Sequence, residues 1–133
     1  RGPWENYPDR KTSCLIGRWS SKVSSQYTHY PRPQDSGNHE DVTEVTLTNK
    51  EGKGIRVTAI DRPFSFSALY YTVDDIYKAT HDCDLKPRKE IILSLDAAVL
   101  GLGNSSCGPG VLKKYAIDKQ KPHTLRVRFS LIK

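Results

Sequence analysis

The sequence contains no methionine, only three cysteines and no long apolar run. A membrane-spanning helix needs about 18–20 consecutive apolar residues, whereas charged residues interrupt the apolar stretches here, as in 90–96. The first five residues, Arg-Gly-Pro-Trp-Glu, form neither the basic nor the apolar part of a secretory signal. We therefore expect neither a membrane protein nor a signal peptide, and the missing initiator methionine favours a fragment of a longer protein.

The three cysteines, Cys14, Cys83 and Cys107, are far apart in the sequence and include no C-x-x-C pair. Small disulfide scaffolds and structural zinc sites use denser, paired cysteines. We therefore expect three independent thiols and no metal site, with a single disulfide bridge as the alternative.

The net charge of +6 would suit a polyanionic partner. However, lysine and arginine residues are scattered singly among acidic residues, with no block of five or more like charges. We therefore expect no nucleic-acid binding. A basic interaction domain, whose binding to polyanions would weaken with salt, stays open as a lesser alternative.

Five segments alternate apolar and polar residues with a period of two, as half-buried β-strands do. They are 41–49, 55–60, 64–68, 91–95 and 125–131. The last is the clearest, because apolar residues at 125, 127, 129 and 131 share one face. A weaker strand is predicted from Cys14 to Trp19. The two glycines of 50–54 predict a hairpin turn between the first two strands.

One short helix is predicted from Val73 to His81. Thr72 can cap its first turn, and Asp75 three residues later completes a capping box. Helical spacing would place Val73, Ile76, Tyr77 and Thr80 on one stripe facing the sheet. Many strands with one small helix predict an all-β fold, either a sandwich or a barrel.

Candidate catalytic groups are present, but the sequence does not assemble them. Glycoside hydrolysis uses two opposed carboxylates, and the candidates are Glu5, Asp9, Glu40, Asp41, Asp74 and Asp75. His39-Glu40-Asp41 could ligate a metal, although adjacent residues in a polar loop are more typical of a solvated surface. Cys107 could act as a nucleophile with a histidine base from among His29, His39, His81 and His123, but a packing role is favoured.

Two further segments have unusual compositions. Residues 101–110 are rich in glycine but lack the Lys-Ser/Thr that ends a phosphate-binding P-loop. Residues 1–10 combine two arginines, two carboxylates, an amide and two aromatic residues. Such a mixture suits either a sugar site or a buried hydrogen-bonded network that fixes a strand end, and we favour the network.

The same segments carry a family resemblance. Residues 1–12 closely resemble the G-P-x-E-N-Y-x-D-R motif of glycoside hydrolase family 2 β-galactosidases. Residues 30–38 resemble the Y-x-x-P-Q-E-x-G-N segment of that family, and residues 101–109 resemble its glycine-rich G-x-G-G-x-x-S-W loop. The resemblance covers essentially all 133 residues. It implies an antiparallel β-sandwich that is part of a C-terminal galactose-mutarotase-like supersandwich, with 1–133 as a single domain or a domain fragment.

The resemblance also implies a non-catalytic role. The catalytic glutamates of the family, and its magnesium and sodium ligands, lie in an upstream barrel domain, so we expect no cofactor in this chain. The glycine-rich loop is expected to approach the aglycone side of the sugar site, with Cys107 where the family has tryptophan. The expected substrate-side residues are Asn104, Ser105, Ser106 and Cys107. The expected scaffold residues of the first motif are Arg1, Glu5, Asn6, Tyr7, Asp9 and Arg10.

The expected partners are upstream catalytic domains of the same polypeptide and a galactoside or other glycoside. Sheet edges that lack their neighbours predict self-association, and hence a homo-oligomer. For the parent protein the resemblance implies a bacterial cytoplasm or periplasm. The alternative function is an autonomous carbohydrate-binding module, which would need coplanar exposed aromatic rings from among Trp4, Trp19, Tyr70 and Tyr71.

Overall fold

The structure is a computed structural model that describes residues 1–104 and 107–133. Over these residues, six strands, one α-helix and three short 3₁₀ turns are present. The strands are β1 His39–Val42, β2 Glu44–Thr48, β3 Gly54–Ala59, β4 Phe64–Leu69, β5 Ile92–Asp96 and β6 Val127–Ile132. Helix α1 spans Val73–Lys78, and the 3₁₀ turns are Val23–Ser25, Asp82–Asp84 and Lys113–Tyr115. Among the described residues, no helix is long and apolar enough to cross a membrane.

The strands form two antiparallel sheets, in the orders β1-β4-β5 and β2-β3-β6. Their facing sides share one hydrophobic core, in which Val42, Val45, Val57 and Phe64 are each at most 8% exposed. Burial of these apolar side chains between the layers is the main force that holds two sheets together. The prediction of an all-β antiparallel sandwich with one short helix is therefore confirmed.

The first predicted strand is interrupted, whereas its hairpin is formed as expected. Strand β1 ends at Val42 and β2 begins at Glu44. Within β1, Asp41 takes a left-handed conformation (φ 57°), and the pairing with β4 shifts register between His39 and Val42. At the turn between β2 and β3, the Asn49 side chain accepts hydrogen bonds from the N–H groups of Glu51 and Lys53 at 2.9 and 3.0 Å. An asparagine that binds nearby backbone N–H groups stabilises such a turn.

Helix α1 begins with the predicted capping box. The Thr72 hydroxyl accepts a hydrogen bond from the Asp75 N–H, and the Asp75 carboxylate accepts one from the Thr72 N–H. The helix ends at Lys78, three residues earlier than predicted.

The predicted inward stripe of α1 is wrong. Val73 and Tyr77 are 72% and 85% exposed, whereas Ile76 and Ala79 are buried. These two residues pack in a second core with Tyr27, Leu69 and Leu85. The helix is too short to present a four-residue stripe, so a single turn, centred on Ile76, faces the protein.

The predicted strand from Cys14 to Trp19 is also wrong. Its only ladder contact within the described residues is an isolated bridge between Gly2 and Leu15. Leu15 and Ile16 are 66% and 73% exposed, so the apolar residues of this segment do not form a buried strand face. The Trp19 indole instead covers Gly2, where a Cβ atom would lie within 2.6 Å of the ring.

One face of the second sheet is only partly covered. On β6, Val127 is half-buried, whereas Phe129 and Leu131 on the same face are 59% and 78% exposed. Leu131 pairs with Ile55 and Phe129 with Val57, so the exposed side chains continue the apolar face of the core. We call Phe129 and Leu131 the open sheet face.

Candidate functional site

The carboxylate of Glu5 joins the first motif to segment 30–38. It accepts hydrogen bonds from the Tyr30 hydroxyl at 2.6 Å, the Gly37 N–H at 2.8 Å and the Tyr7 hydroxyl at 3.3 Å. Burial, and next the Glu5 carboxylate, raise the pKa of Tyr7 above its usual value. Tyr7 is therefore a neutral donor to Glu5 at neutral pH.

Asn6 is fully buried and connects the motif to strand β1. Its side-chain oxygen accepts the Glu40 N–H at 2.9 Å, and its amide donates to the Trp4 carbonyl at 3.0 Å. Its backbone N–H donates to the Asn38 carbonyl at 2.7 Å, and the Asn38 side chain donates to its carbonyl at 2.7 Å. Because water cannot reach these groups, Asn6 satisfies polar atoms that would otherwise be buried without a partner.

The acidic residues of β1 are held by structural contacts. Glu40 accepts hydrogen bonds from the Asn38 amide at 2.8 Å and the Ser65 hydroxyl at 2.7 Å. Asp41 pairs with Arg1 at 2.6 Å and with Lys11 at 3.0 Å. Partial burial would raise the pKa of Asp41, but Arg1 and Lys11 outweigh it and hold that pKa below its usual value.

The side chains of the His39-Glu40-Asp41 sequence do not converge on a common point. His39 contacts the Arg1 carbonyl through Nδ1 at 3.1 Å and the Gln26 side chain through Nε2 at 2.7 Å. Its ring stacks on Phe66, and burial lowers its pKa. In the part of the chain that the structure describes, no group of three or more His, Cys, Asp or Glu residues could hold a metal ion.

The two carboxylates of helix α1 serve the helix itself. Asp74 pairs with Lys78 one turn later at 2.6 Å. Asp75 caps the helix and also binds the Arg88 guanidinium at 2.6 and 2.8 Å. The Arg88 hydrogen bond is the largest cause that lowers the pKa of Asp75. Both residues therefore contribute to local structure rather than to an opposed catalytic pair.

The carboxylate of Asp9 contacts the glycine loop, as we call residues 101–110. Asp9 Oδ1 accepts the Leu102 N–H at 2.9 Å, and Oδ2 accepts the Gly103 N–H at 2.8 Å. Burial alone would raise the pKa of Asp9, but these two donors outweigh it and lower the pKa. Two of the three segments that carry the resemblance are thus joined directly, although 93 residues separate Asp9 from Leu102.

The glycine loop is closed at its base and exposed at its tip. The Gly101 N–H donates to the Tyr115 carbonyl at 3.1 Å, and the Asn104 N–H donates to the Pro109 carbonyl at 2.9 Å. Asn104 and Cys107 are exposed, and the Cys107 N–H donates to the Asn104 carbonyl. The predicted substrate-side residues Ser105 and Ser106 lie outside the described residues.

A family profile matches nearly the whole chain. The profile of the family described as "Beta galactosidase small chain" matches residues 1–131. The chain belongs to this family.

Its curated relatives are named as β-galactosidases. The Kluyveromyces lactis enzyme is 36% identical over 121 residues, which cover 90% of this chain and 11% of that protein. β-Galactosidase BgaC of Bifidobacterium adolescentis is 35% identical over 133 residues, covering 98% of this chain and 13% of the relative. The Arthrobacter sp. enzyme is 33% identical with similar coverage. The chain thus spans a small part of the length of these relatives.

Several network residues of this β-galactosidase small-chain domain were not identified as site residues from the sequence. Gly37 and Asn38 contact the first motif, but they lie in a stretch that composition marks only as an irregular loop. Gln26 and Ser65 complete contacts to His39 and Glu40. The resemblance of 30–38 to a family segment was the available signal for the first pair.

The four aromatic residues named for a carbohydrate-binding module differ in exposure. Trp4 and Trp19 are 73% and 49% exposed in the irregular N-terminal segment. Tyr70 and Tyr71 follow β4 and are half-buried, and Tyr71 packs against Tyr27 with ring centroids 5.1 Å apart. The Tyr71 ring therefore belongs to the second core.

Proposed function

We propose that the chain is a non-catalytic, C-terminal domain of a β-galactosidase-like glycoside hydrolase. It would support neighbouring catalytic domains and place the glycine loop at the aglycone side of their sugar site. The observation that carries this proposal is the family match over 1–131, together with relatives named as β-galactosidases of which the chain spans 11–13%. A galactoside substrate, and any magnesium or sodium ion, would then be bound mainly by the neighbouring domains.

The non-catalytic part of the proposal is supported by the carboxylates. Glu5, Glu40 and Asp41 accept hydrogen bonds or ion pairs from the sandwich, and Asp74 and Asp75 stabilise helix α1. Asp9 binds the base of the glycine loop. A general acid or a nucleophile must instead face a reacting bond.

We therefore expect the isolated chain to hydrolyse no aryl galactoside. A chromogenic assay of purified protein measures this directly. Turnover that disappears when one of the six carboxylates is replaced would contradict the proposal. Saturable binding of free galactosides by the same sample would instead favour an autonomous carbohydrate-binding module.

The role of the glycine loop is testable at Cys107. The resemblance places this thiol where the family has tryptophan, and a thiol lacks the flat apolar face on which a sugar can stack. In the full-length enzyme, Cys107→Trp is expected to change kcat/KM by a few-fold to about tenfold for substrates with a sugar aglycone, the range of an aromatic contact of about 0.5–1.5 kcal/mol. Substrates with a small leaving group should change little.

Cys83→Trp is the matched control, because Cys83 is also exposed but lies in the 3₁₀ turn after helix α1. It should leave the preference between aglycones unchanged. Equal changes of kcat/KM for all substrates in the Cys107 variant would show that the loop does not contact the aglycone.

A further inference from the structure

We propose that Asp9 is the positioning residue of the glycine loop. Its carboxylate binds two consecutive N–H groups at the base of the loop and so determines where the exposed tip stands. The effect of this positioning on substrate choice rests on the function proposed above. The anchoring of the loop is independent of that function, because it follows from contacts within this chain.

The contact has the geometry of a clamp. Each Asp9 oxygen accepts one N–H, from Leu102 at 2.9 Å and from Gly103 at 2.8 Å. Hydrogen bonds to a charged carboxylate are about twice as strong as neutral ones, and two of them also fix direction. Successive backbone N–H groups that point to one side form a natural site for an anion. The lowered pKa of Asp9 keeps this anion charged at neutral pH.

Asp9 itself is held in place by the first motif. Residues 7–10 form a tight turn, which Tyr7 and Arg10 close with reciprocal backbone hydrogen bonds of 2.8 and 3.2 Å. Proline at the second position of the turn favours this conformation. Tyr7 is 3% exposed and binds Glu5, so the turn is tied to the buried network. The clamp therefore connects the loop to a rigid part of the sandwich.

The loop side of the contact requires glycine. A Cβ atom at Gly101 would lie 2.9 Å from the Asp9 carboxyl carbon and 2.9 Å from Tyr115 Cβ, closer than real Cβ contacts allow. Gly103 has a φ of +63°, a left-handed conformation that glycine adopts without strain. Asn104 follows at once, and its carbonyl accepts the Cys107 N–H. The clamp is therefore separated by a single residue, Asn104, from a backbone hydrogen bond to Cys107.

The first measurement tests the anchor alone, in the full-length enzyme. In Asp9→Asn, one of the two acceptors becomes an amide donor that faces an N–H group. We expect amide hydrogen exchange at Leu102 and Gly103 to become about tenfold faster or more, since this local hydrogen bond limits their opening. Asp61→Asn is the control, because Asp61 pairs with Arg126 and makes no hydrogen bond to the described residues of the loop. Unchanged exchange at both loop amides in Asp9→Asn would overturn the proposal.

The second measurement tests positioning through a double-mutant cycle. The change in aglycone preference caused by Cys107→Trp is expected to be lost in the Asp9→Asn background and kept in the Asp61→Asn background. If Cys107→Trp keeps its full effect without Asp9, the positioning role is overturned while the proposed function survives. If Cys107→Trp has no effect in any background, the proposed aglycone contact fails, and the exchange result alone decides whether Asp9 anchors the loop.

If Asp9→Asn only lowered the stability of the folded protein as a whole, Asp9 would be a structural residue and not a positioning residue. Thermal unfolding of the same variants, with kcat and KM determined separately, distinguishes this case. The positioning role predicts a raised KM for substrates with a sugar aglycone and an unchanged kcat for small leaving groups. A fall in kcat for all substrates in proportion to lost folded protein would overturn it.

Discussion

Asn6→Ala is expected to lower the free energy of unfolding of the chain by about 3 kcal/mol, because it removes the partner of one buried backbone group and weakens the contacts of another backbone group. The Glu40 N–H loses the Asn6 side-chain oxygen, and the Trp4 carbonyl loses the Asn6 amide but keeps its contact with the Cys14 thiol. Asn6 is 0% exposed, so water cannot replace either contact without opening the network. Urea unfolding followed by circular dichroism measures the change.

Asn49→Ala is the matched control for this prediction. The Asn49 side chain also makes two hydrogen bonds to the backbone, with the N–H groups of Glu51 and Lys53, but it lies in an exposed hairpin turn. Water can replace it, so we expect a loss of about 1 kcal/mol or less. Equal losses of unfolding free energy in the two variants would show that burial of Asn6 does not increase the cost of removing its hydrogen bonds.

The strands could be predicted because their signal is local. Alternation at every second residue places Val57 of β3 and Phe64 of β4 in the core between the sheets, although Ser65 on the opposite face of β4 is buried as well. The weaker strand predicted at 14–19, which lacks this alternation, is wrong, and Leu15 and Ile16 are exposed. Periodicity reports which side chains share a face, but not whether another layer packs on that face.

The composition of residues 1–10 correctly suggested a hydrogen-bonded network, but not its partners. Glu5 contacts a tyrosine 25 residues away and Asp9 contacts a loop 93 residues away. Such contacts depend on how the folded chain brings distant segments together, and the local sequence around Glu5 or Asp9 does not indicate which segment that is. The resemblance to family segments located both regions. The contact between Asp9 and the glycine loop is evident only from the folded structure.

The last prediction compares two phenylalanines that lie on apolar faces of the two sheets. Phe64 is 2% exposed in the core between the sheets, whereas Phe129 on the open sheet face is 59% exposed. In the isolated chain, Phe64→Ala is expected to cost about 3–5 kcal/mol of unfolding free energy, as for other buried aromatic residues. Phe129→Ala should cost less than about 1 kcal/mol, because most of its ring is already in water.

The two variants should behave differently when the chain is part of a full-length enzyme. The open sheet face continues the hydrophobic core at Val57, and apolar surface of this kind commonly marks a contact with another layer. If a neighbouring domain covers it, Phe129→Ala will destabilise the full-length protein by about 2 kcal/mol or more. Differential scanning calorimetry of both forms measures this contrast. A cost for Phe129→Ala that stays below about 1 kcal/mol in the full-length protein would show that this face is exposed to solvent there as well.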